Sequence, residues 1–507
     1  MKTENKIFRS LVASTLICLT FAIVSSCDSG PQDVLPTSQQ VWDYYYSTLN
    51  YSPEYAPGFA AYFDFSDGMS EAYKDQDTRD NLRGISQKVT GTDWKIYGLA
   101  SNQVTEMNCS QTELYNKITQ NKYTEIMAPI EEALKSIVEN RQRALLITDF
   151  EEYTADKHIQ YQNYAKKYFI DWMKAGGVIN FYITDYKEGK QDKHLYYTVF
   201  DDYKGTMTKI IDDALAGRTV NYKKFSINNK PVEVFCNYFN TKKGGNYHDS
   251  TGQDLVTAVN ENDPSNDMYT CYEKGSVEFY PCFGSSWADI KKNADAVAQM
   301  PGNDKFYSLW RGIFLDSSNR DAYIIEPSDY VLKVTNVQKD FQLFTDYNAA
   351  LRNTPTISRN PDGTVFVEST EHPDAEYYYN FETGEMLPDF VYKPQNCPIV
   401  HNLFEFDADV MAESLRDNPY RTEIAIDFSQ YFSESTLDVQ YGDLIRIDIM
   451  IANATPNLDK LSELFAWGPD KNGQKNENLS EAIRNTLQES SISPVGQILF
   501  TYFVKAY

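Results

Sequence analysis

The chain has 507 residues, 23% of them charged, and a formal net charge of −25 at pH 7, enough material for more than one buried core under an acidic surface. Such a surface repels nucleic-acid phosphates and anionic lipid headgroups, so charge excludes both as partners. With 5 histidines scattered along the chain, 7 cysteines and no Cys-x-x-Cys spacing, neither a zinc site nor a histidine-based hydrolase finds support.

Lys2, Lys6 and Arg9 precede an apolar run from Leu11 to Val24, which is too short for a membrane span and closes on Val24-Ser25-Ser26-Cys27. Val-Ser-Ser-Cys resembles the lipobox of bacterial lipoproteins, which implies cleavage before Cys27 and acylation of its thiol. Each buried CH₂ of an acyl chain contributes about 0.8 kcal/mol, so several chains on one residue anchor firmly. Residues 1–26 are then a signal peptide and 27–54 a tether in which DSGPQDVLPTSQQ follows Cys27. The expected location is the cell envelope, at the outer membrane or cell surface, held by lipid alone. No later run approaches the roughly 20 apolar residues of a transmembrane helix.

Ala60–Phe65 reads as a strand that ends at a polar loop, and a polar helix is expected near Asp77–Val89. Asp93–Ala100 is a second strand and Val104–Met107 a short third. Proline opens a helix over Pro129–Arg143, where Ile130, Ala133, Leu134, Ile137 and Val138 recur at helical spacing. Ala144–Thr148 is a continuous apolar strand of the kind buried on both faces. Tyr161–Met173 is amphipathic and stops at Gly176-Gly177. Val178–Ile183 and His194–Phe200 are further strands, and Met207–Ala216 a closing helix. This alternation predicts an α/β domain over residues 55–220, a doubly wound, mostly parallel sheet that folds by itself.

Such sheets collect functional groups past the carboxyl ends of their strands. Asp64 and Ser66 follow the first strand, Thr124 precedes the Pro129 helix, and Asp149 follows Ala144–Thr148. Carboxylate and hydroxyl oxygens are hard ligands, suited to Mg²⁺ or Ca²⁺ rather than zinc. The order resembles a von Willebrand factor A-type (vWA-like) domain. That family's metal-ion-dependent adhesion site uses Asp-x-Ser-x-Ser after the first strand, a threonine before a mid-domain helix and an aspartate after the fourth strand. Here Asp64-Phe65-Ser66-Asp67-Gly68-Met69 supplies the first part, and Ile147-Thr148-Asp149 resembles the family's Ile-Thr-Asp-Gly. The resemblance implies that Ser66 ligates the metal by its hydroxyl and Thr124 directly or through water. Asp64 and Asp149 act mainly through water, and a partner's carboxylate takes the open position. Gly68 stands where the family has its second serine, and Phe150 where glycine follows the aspartate. Asp67, Ser70 or water would compensate for the missing hydroxyl. Without a metal, Asp64 and Asp149 read simply as caps of turns at strand ends.

Beyond residue 220 the pattern changes. A mixed α+β region is expected over 221–325 and a β-rich domain over 326–507, closed by a helix at Leu479–Gln488 and a strand at Gln497–Lys505. Trp287–Met300 and the aromatic stretch Phe306–Phe314 read as helical. Thr422–Phe428 and Leu444–Ile451 alternate as half-buried antiparallel strands, so a β-sandwich is the expected architecture. No Gly-rich phosphate loop, Gly-x-Ser-x-Gly elbow or paired catalytic carboxylates appear. The expected function is therefore binding or adhesion at the cell surface, not catalysis, with a protein or glycan engaged through a degenerate divalent-metal adhesion site. The alternatives are a metal-dependent hydrolase of glycans or phosphoesters built on Asp64 and Asp149, and a scaffold whose metal site is vestigial.

Overall fold

The computed structural model describes residues 36–49, 54–91, 93–120, 123–124, 127–151, 163–216, 222–236, 241–243, 246–248, 272–273, 277–282, 286–298, 310–355, 357–362, 365–367, 377–380, 385–432, 439–469 and 473–506. The expected signal peptide and Cys27 lie outside these residues, as does Phe306 to Leu309 of the aromatic stretch. Among the described residues, no helix is long and apolar enough to cross a membrane.

The first half is built on a seven-stranded mixed sheet with the order β3-β2-β1-β4-β6-β5-β7. Its strands are β1 (Phe59–Asp64), β2 (Trp94–Ala100), β3 (Gln103–Glu106), β4 (Ala144–Thr148), β5 (Gly177–Glu188), β6 (Gln191–Asp202) and β7 (Lys223–Ile227). The centre is parallel, as expected: β1 pairs with β2 on one side and β4 on the other, both connections carrying helices. The flanks are not. β2 turns into β3 through Ser101 and Asn102, both at positive φ (53° and 57°), the backbone of a type I′ hairpin.

The larger departure lies at β5 and β6. Sequence alternation suggested two short strands, Val178–Ile183 and His194–Phe200. They are instead the inner halves of 12-residue strands paired from Gly177↔Asp202 to Glu188↔Gln191. Only Gly189 and Lys190 join them, and Gly189, at φ +65°, takes the first turn position, where a type II′ turn needs glycine. So tight a turn forces antiparallel pairing, and the returning β6 occupies the place beside β4. Four strands (β1, β2, β4 and β5) run one way and three the other. The domain also extends past residue 220, since β7 completes the sheet against β5.

Alternate residues of each strand face opposite sides, and both sides are covered. Ala61 and Phe63 of β1 pack with Leu82 and Ile85 of the Gln76–Val89 helix, Leu114 of the Gln111–Ile118 helix and Ile211 of the Thr206–Leu215 helix. Ala60 and Tyr62 face the other way, toward the Ile130–Glu139 and Tyr164–Lys174 helices. This second layer is finished by the far end of the chain. Leu461, Leu464 and Phe465, then Leu479, Ile483 and Leu487, join the same apolar cluster. Phe465 stacks on Tyr196 (centroids 5.7 Å apart) and meets Phe181 and Phe225 edge-on at 5.0 and 5.1 Å.

The second half contains a five-stranded sheet ordered (Tyr272–Glu273)-(Val277–Cys282)-(Ile498–Ala506)-(Leu444–Ile451)-(Tyr330–Asn336). A four-stranded antiparallel sheet is ordered (Phe404–Phe406)-(Arg421–Phe428)-(Trp310–Asp316)-(Glu233–Cys236). Trp310 and Tyr502, one from each sheet, stack at 5.9 Å within a shared apolar cluster. The aromatic stretch expected as helix is thus a strand from Trp310, while the helix Gln338–Arg352 went unread in the sequence. The expected tether contains the helix Ser38–Thr48, whose Tyr44 and Tyr45 are buried with Phe341 and Phe503. Tyr44 donates to the buried carboxylate of Asp340 at 2.7 Å.

Candidate functional site at the ends of β1 and β4

β1 and β4 are neighbours in register up to Phe63↔Ile147, so the residues that follow them emerge side by side. Asp64 is fully buried and Asp149 is 4% exposed. Each closes a turn by accepting from the amide two residues on: Asp64 Oδ1 from Ser66 N at 2.8 Å, Asp149 Oδ1 from Glu151 N at 3.0 Å. The capping role foreseen for both is therefore real, but it uses one oxygen of each. Asp64 Oδ2 accepts from the Thr148 hydroxyl at 2.7 Å, and Thr148 Oγ1 accepts from Phe150 N. Asp149 Oδ2 receives a long contact of 3.5 Å from the Tyr186 hydroxyl.

The first loop lies directly against Asp149: a Cβ built on Gly68 would stand 3.4 Å from Asp149 Oδ2. Gly68 has ordinary right-handed helical angles (φ −55°, ψ −36°), so neither backbone nor space demands glycine there. Phe150 is the converse. It holds φ +54°, a conformation that favours glycine, at the position where the resemblance expects one. Its ring offsets that strain by burial edge-on against Tyr196.

The remaining expected residues join unevenly. Ser66 is buried beside Asp64. Ser70 Oγ accepts from Tyr123 N at 2.9 Å, which straps the 123–124 segment to the first loop and commits Ser70 to a structural bond. Thr124 follows at once and is exposed, as is Asp67. The structure thus brings together Asp64, Ser66, Gly68 and Asp149, with Thr124 one residue beyond the strap.

Burial raises the pKa of Asp64, against the pull of the Ser66 amide and the Thr148 hydroxyl. Burial, then repulsion by Glu151 and Asp64, holds Asp149 well above the usual carboxylate range. Among the described residues neither aspartate makes an ion pair. The nearby cation is Lys193, which sequence reading missed. It is 3% exposed, bonded to Glu151 at 2.8 Å and paired with Glu188, with its ammonium 4.4 Å from the centre of the Trp467 ring. Burial opposes its charge, but Glu151 and Asp149 outweigh burial and raise its pKa. The missed signal was a lysine at an inward position of a strand pattern, where only a charge partner makes burial tolerable.

Among the described residues, no three His, Cys, Asp or Glu side chains are grouped to hold a metal. The expected set differs in kind, with two carboxylates and two hydroxyls. It fits a hard cation in donor chemistry, and in the two buried carboxyls that no ion pair balances among the described residues. Comparison of the chain with protein-family models, with curated proteins and with solved structures finds no match in any of the three.

Proposed function

We propose that this chain is a lipid-anchored binding or adhesion protein of the cell surface, whose vWA-like domain engages a protein or glycan through Mg²⁺ or Ca²⁺. The observation that carries the reading is the pair of buried carboxyls, Asp64 and Asp149, side by side at the ends of two parallel strands with no ion pair among the described residues. Asp64, Ser66, Asp149 and Thr124 would hold the ion, with Asp64 and Asp149 acting mainly through water. When bound, the ion supplies an open coordination position for an oxygen of the partner. The β-rich half, read as a sandwich, is the spacer or second contact surface.

The test is thermal. An ion that binds only the folded state adds about 2.7 kcal/mol at a hundredfold excess over its dissociation constant. Because Gly68 lacks a hydroxyl, the melting shift should need millimolar Mg²⁺, Mn²⁺ or Ca²⁺. Asp149→Asn should abolish the shift yet leave the apo fold as firm or firmer. Gly68→Ser, for which there is room, should bring the shift to lower ion concentration. The pH dependence has a definite sign. Both carboxyls have folded-state pKa values above their unfolded ones, so their contribution to apo stability is greatest at low pH and is lost as pH rises through the folded pKa. The ion response should grow over that same rise. Melting curves indifferent to all three ions, in the wild type and in Gly68→Ser, would sink the metal-dependent reading.

The anchor has its own test. Cys27→Ala removes the acylation site, and the protein should move from the membrane fraction to the soluble one. Quantitative pelleting of the variant with membranes in high salt would contradict the lipid anchor.

A further inference from the structure

A buried ammonium stands beside the turn that carries Asp149. β4 and β6 pair antiparallel as far as Thr148↔Tyr196, and three residues further along each chain Glu151 meets Lys193, its Oε2 accepting from the ammonium at 2.8 Å. Within that turn the Glu151 amide donates to Asp149 Oδ1 at 3.0 Å. On its other side Lys193 is the register partner of Tyr186 in β5, whose hydroxyl stands 3.5 Å from Asp149 Oδ2. Lys193 is thus joined to Asp149 by two routes, each through a single residue. Trp467 covers the ammonium and is itself 8% exposed. Two backbone bonds with Asn476 hold Trp467, and Gln191, on the strand that carries Lys193, donates to the Pro469 carbonyl. The lysine is therefore fixed and shielded, and salt screens its field far less than that of an exposed charge.

We propose that Lys193 is the standing countercharge of the ion site: it balances Asp149 and Glu151 in the ion-free protein and holds down the affinity for a divalent cation. This rests on the ion site proposed above and adds the residue that sets its strength. Glu188 also pairs with Lys193, but its side chain is 40% exposed and water meets its charge, whereas Asp149 and Glu151 are buried. A cation arriving at Asp149 gains the field of these carboxyls and works against the ammonium. A unit charge a residue's width away, in a medium between protein and water, changes the affinity for a doubly charged ion by about tenfold. Without Lys193 the ion becomes the positive partner that Asp149 and Glu151 lack, so ion binding and folding become more tightly linked.

A charge cycle tests this, read as melting temperature against Mn²⁺ concentration in the chain from Cys27 onward. Lys193→Met should respond at about tenfold lower Mn²⁺ than wild type. Glu151→Gln, which leaves Lys193 its pair with Glu188, should need about tenfold more. The double variant restores the net charge and should return toward wild type, a reversal that mere loss of packing would not produce. Lys193→Arg keeps the charge and should respond closer to wild type than Lys193→Met does. Lys187→Met, on the same hairpin with its side chain 74% exposed, should leave the response unchanged. The order should persist in about 0.5 M NaCl, which screens exposed charges. If Lys193→Met is too unstable to melt, Glu151→Gln against wild type decides the matter. A wild type that responds to Mn²⁺, with Lys193→Met responding at no lower and Glu151→Gln at no higher concentration, overturns the inference and leaves the ion site standing. No response in any variant, Gly68→Ser included, removes the ion site and the inference with it.

Discussion

A fragment ending at Arg218 should fail to fold as a cooperative unit, although the strand–helix alternation of its sequence suggests an independent domain. Such a fragment lacks β7, which pairs with β5 from Ile179↔Ile227 to Ile183↔Lys223. It also lacks the layer contributed from beyond residue 460. Leu461, Leu464, Phe465, Leu479, Ile483, Leu487 and Ile492 are each at most 5% exposed in the cluster that covers Phe181 and Tyr196. At about 1.5–3 kcal/mol for each buried side chain, that layer contributes roughly 10–20 kcal/mol, against a typical total stability of about 5–15 kcal/mol. Circular dichroism and calorimetry of the fragment are expected to show a broad or absent transition and dye-binding apolar surface. A sharp two-state melt would mean that the C-terminal helices are a docked accessory rather than part of the core.

This interdependence marks where the sequence stops being legible. β1, β4 and two of the helices between them, Gln76–Val89 and Ile130–Glu139, could be read because their signals are local: apolar runs of strand length, the helical spacing from Ile130 to Val138, proline at a helix start; the helix Gln111–Ile118 went unread. The paired loops after β1 and β4 were readable for the same reason, since parallel strands must deliver their carboxyl ends to one edge. What escaped was non-local. Nothing in Asp185 to Lys193 announces that a charged stretch is two continuous strands, because the burial of Lys193 among exposed neighbours is set by Glu151 and Trp467, and that of Tyr186 by Asp149 and an apolar cluster, all distant in sequence. Helix Asn478–Leu487 was legible as a helix, yet the surface it covers, on the Tyr164–Lys174 helix some 300 residues earlier, was not. The helix within the expected tether was hidden by polar residues around its tyrosines.

Lys193→Met should be the most damaging single change on the polar side of the domain. The methionine fills the space, but Glu151, itself 8% exposed, loses the ammonium at 2.8 Å, and Asp149 loses the favourable field of Lys193. Removing one partner of a buried pair typically costs about 3–5 kcal/mol because the other charge is left uncompensated. Chemical denaturation should therefore show a loss of that order at pH 7. Neutralising the abandoned partner, in Lys193→Met with Glu151→Gln, should recover much of it. A loss under about 1 kcal/mol, the range of exposed pairs, would show that Glu151 reaches solvent readily and that Lys193 is a surface ion in effect.

The central claim, that the ends of β1 and β4 hold a divalent cation, is tested most directly by crystals of the chain from Cys27 onward grown or soaked in Mn²⁺ and examined for anomalous scattering. One anomalous peak is expected at the edge where the loops carrying Ser66, Thr124 and Asp149 emerge. The peak should be lost in Asp149→Asn and stronger at equal Mn²⁺ in Gly68→Ser. A clean map at that edge at saturating Mn²⁺, in both the wild type and Gly68→Ser, would contradict it and leave Asp64 and Asp149 as turn caps alone.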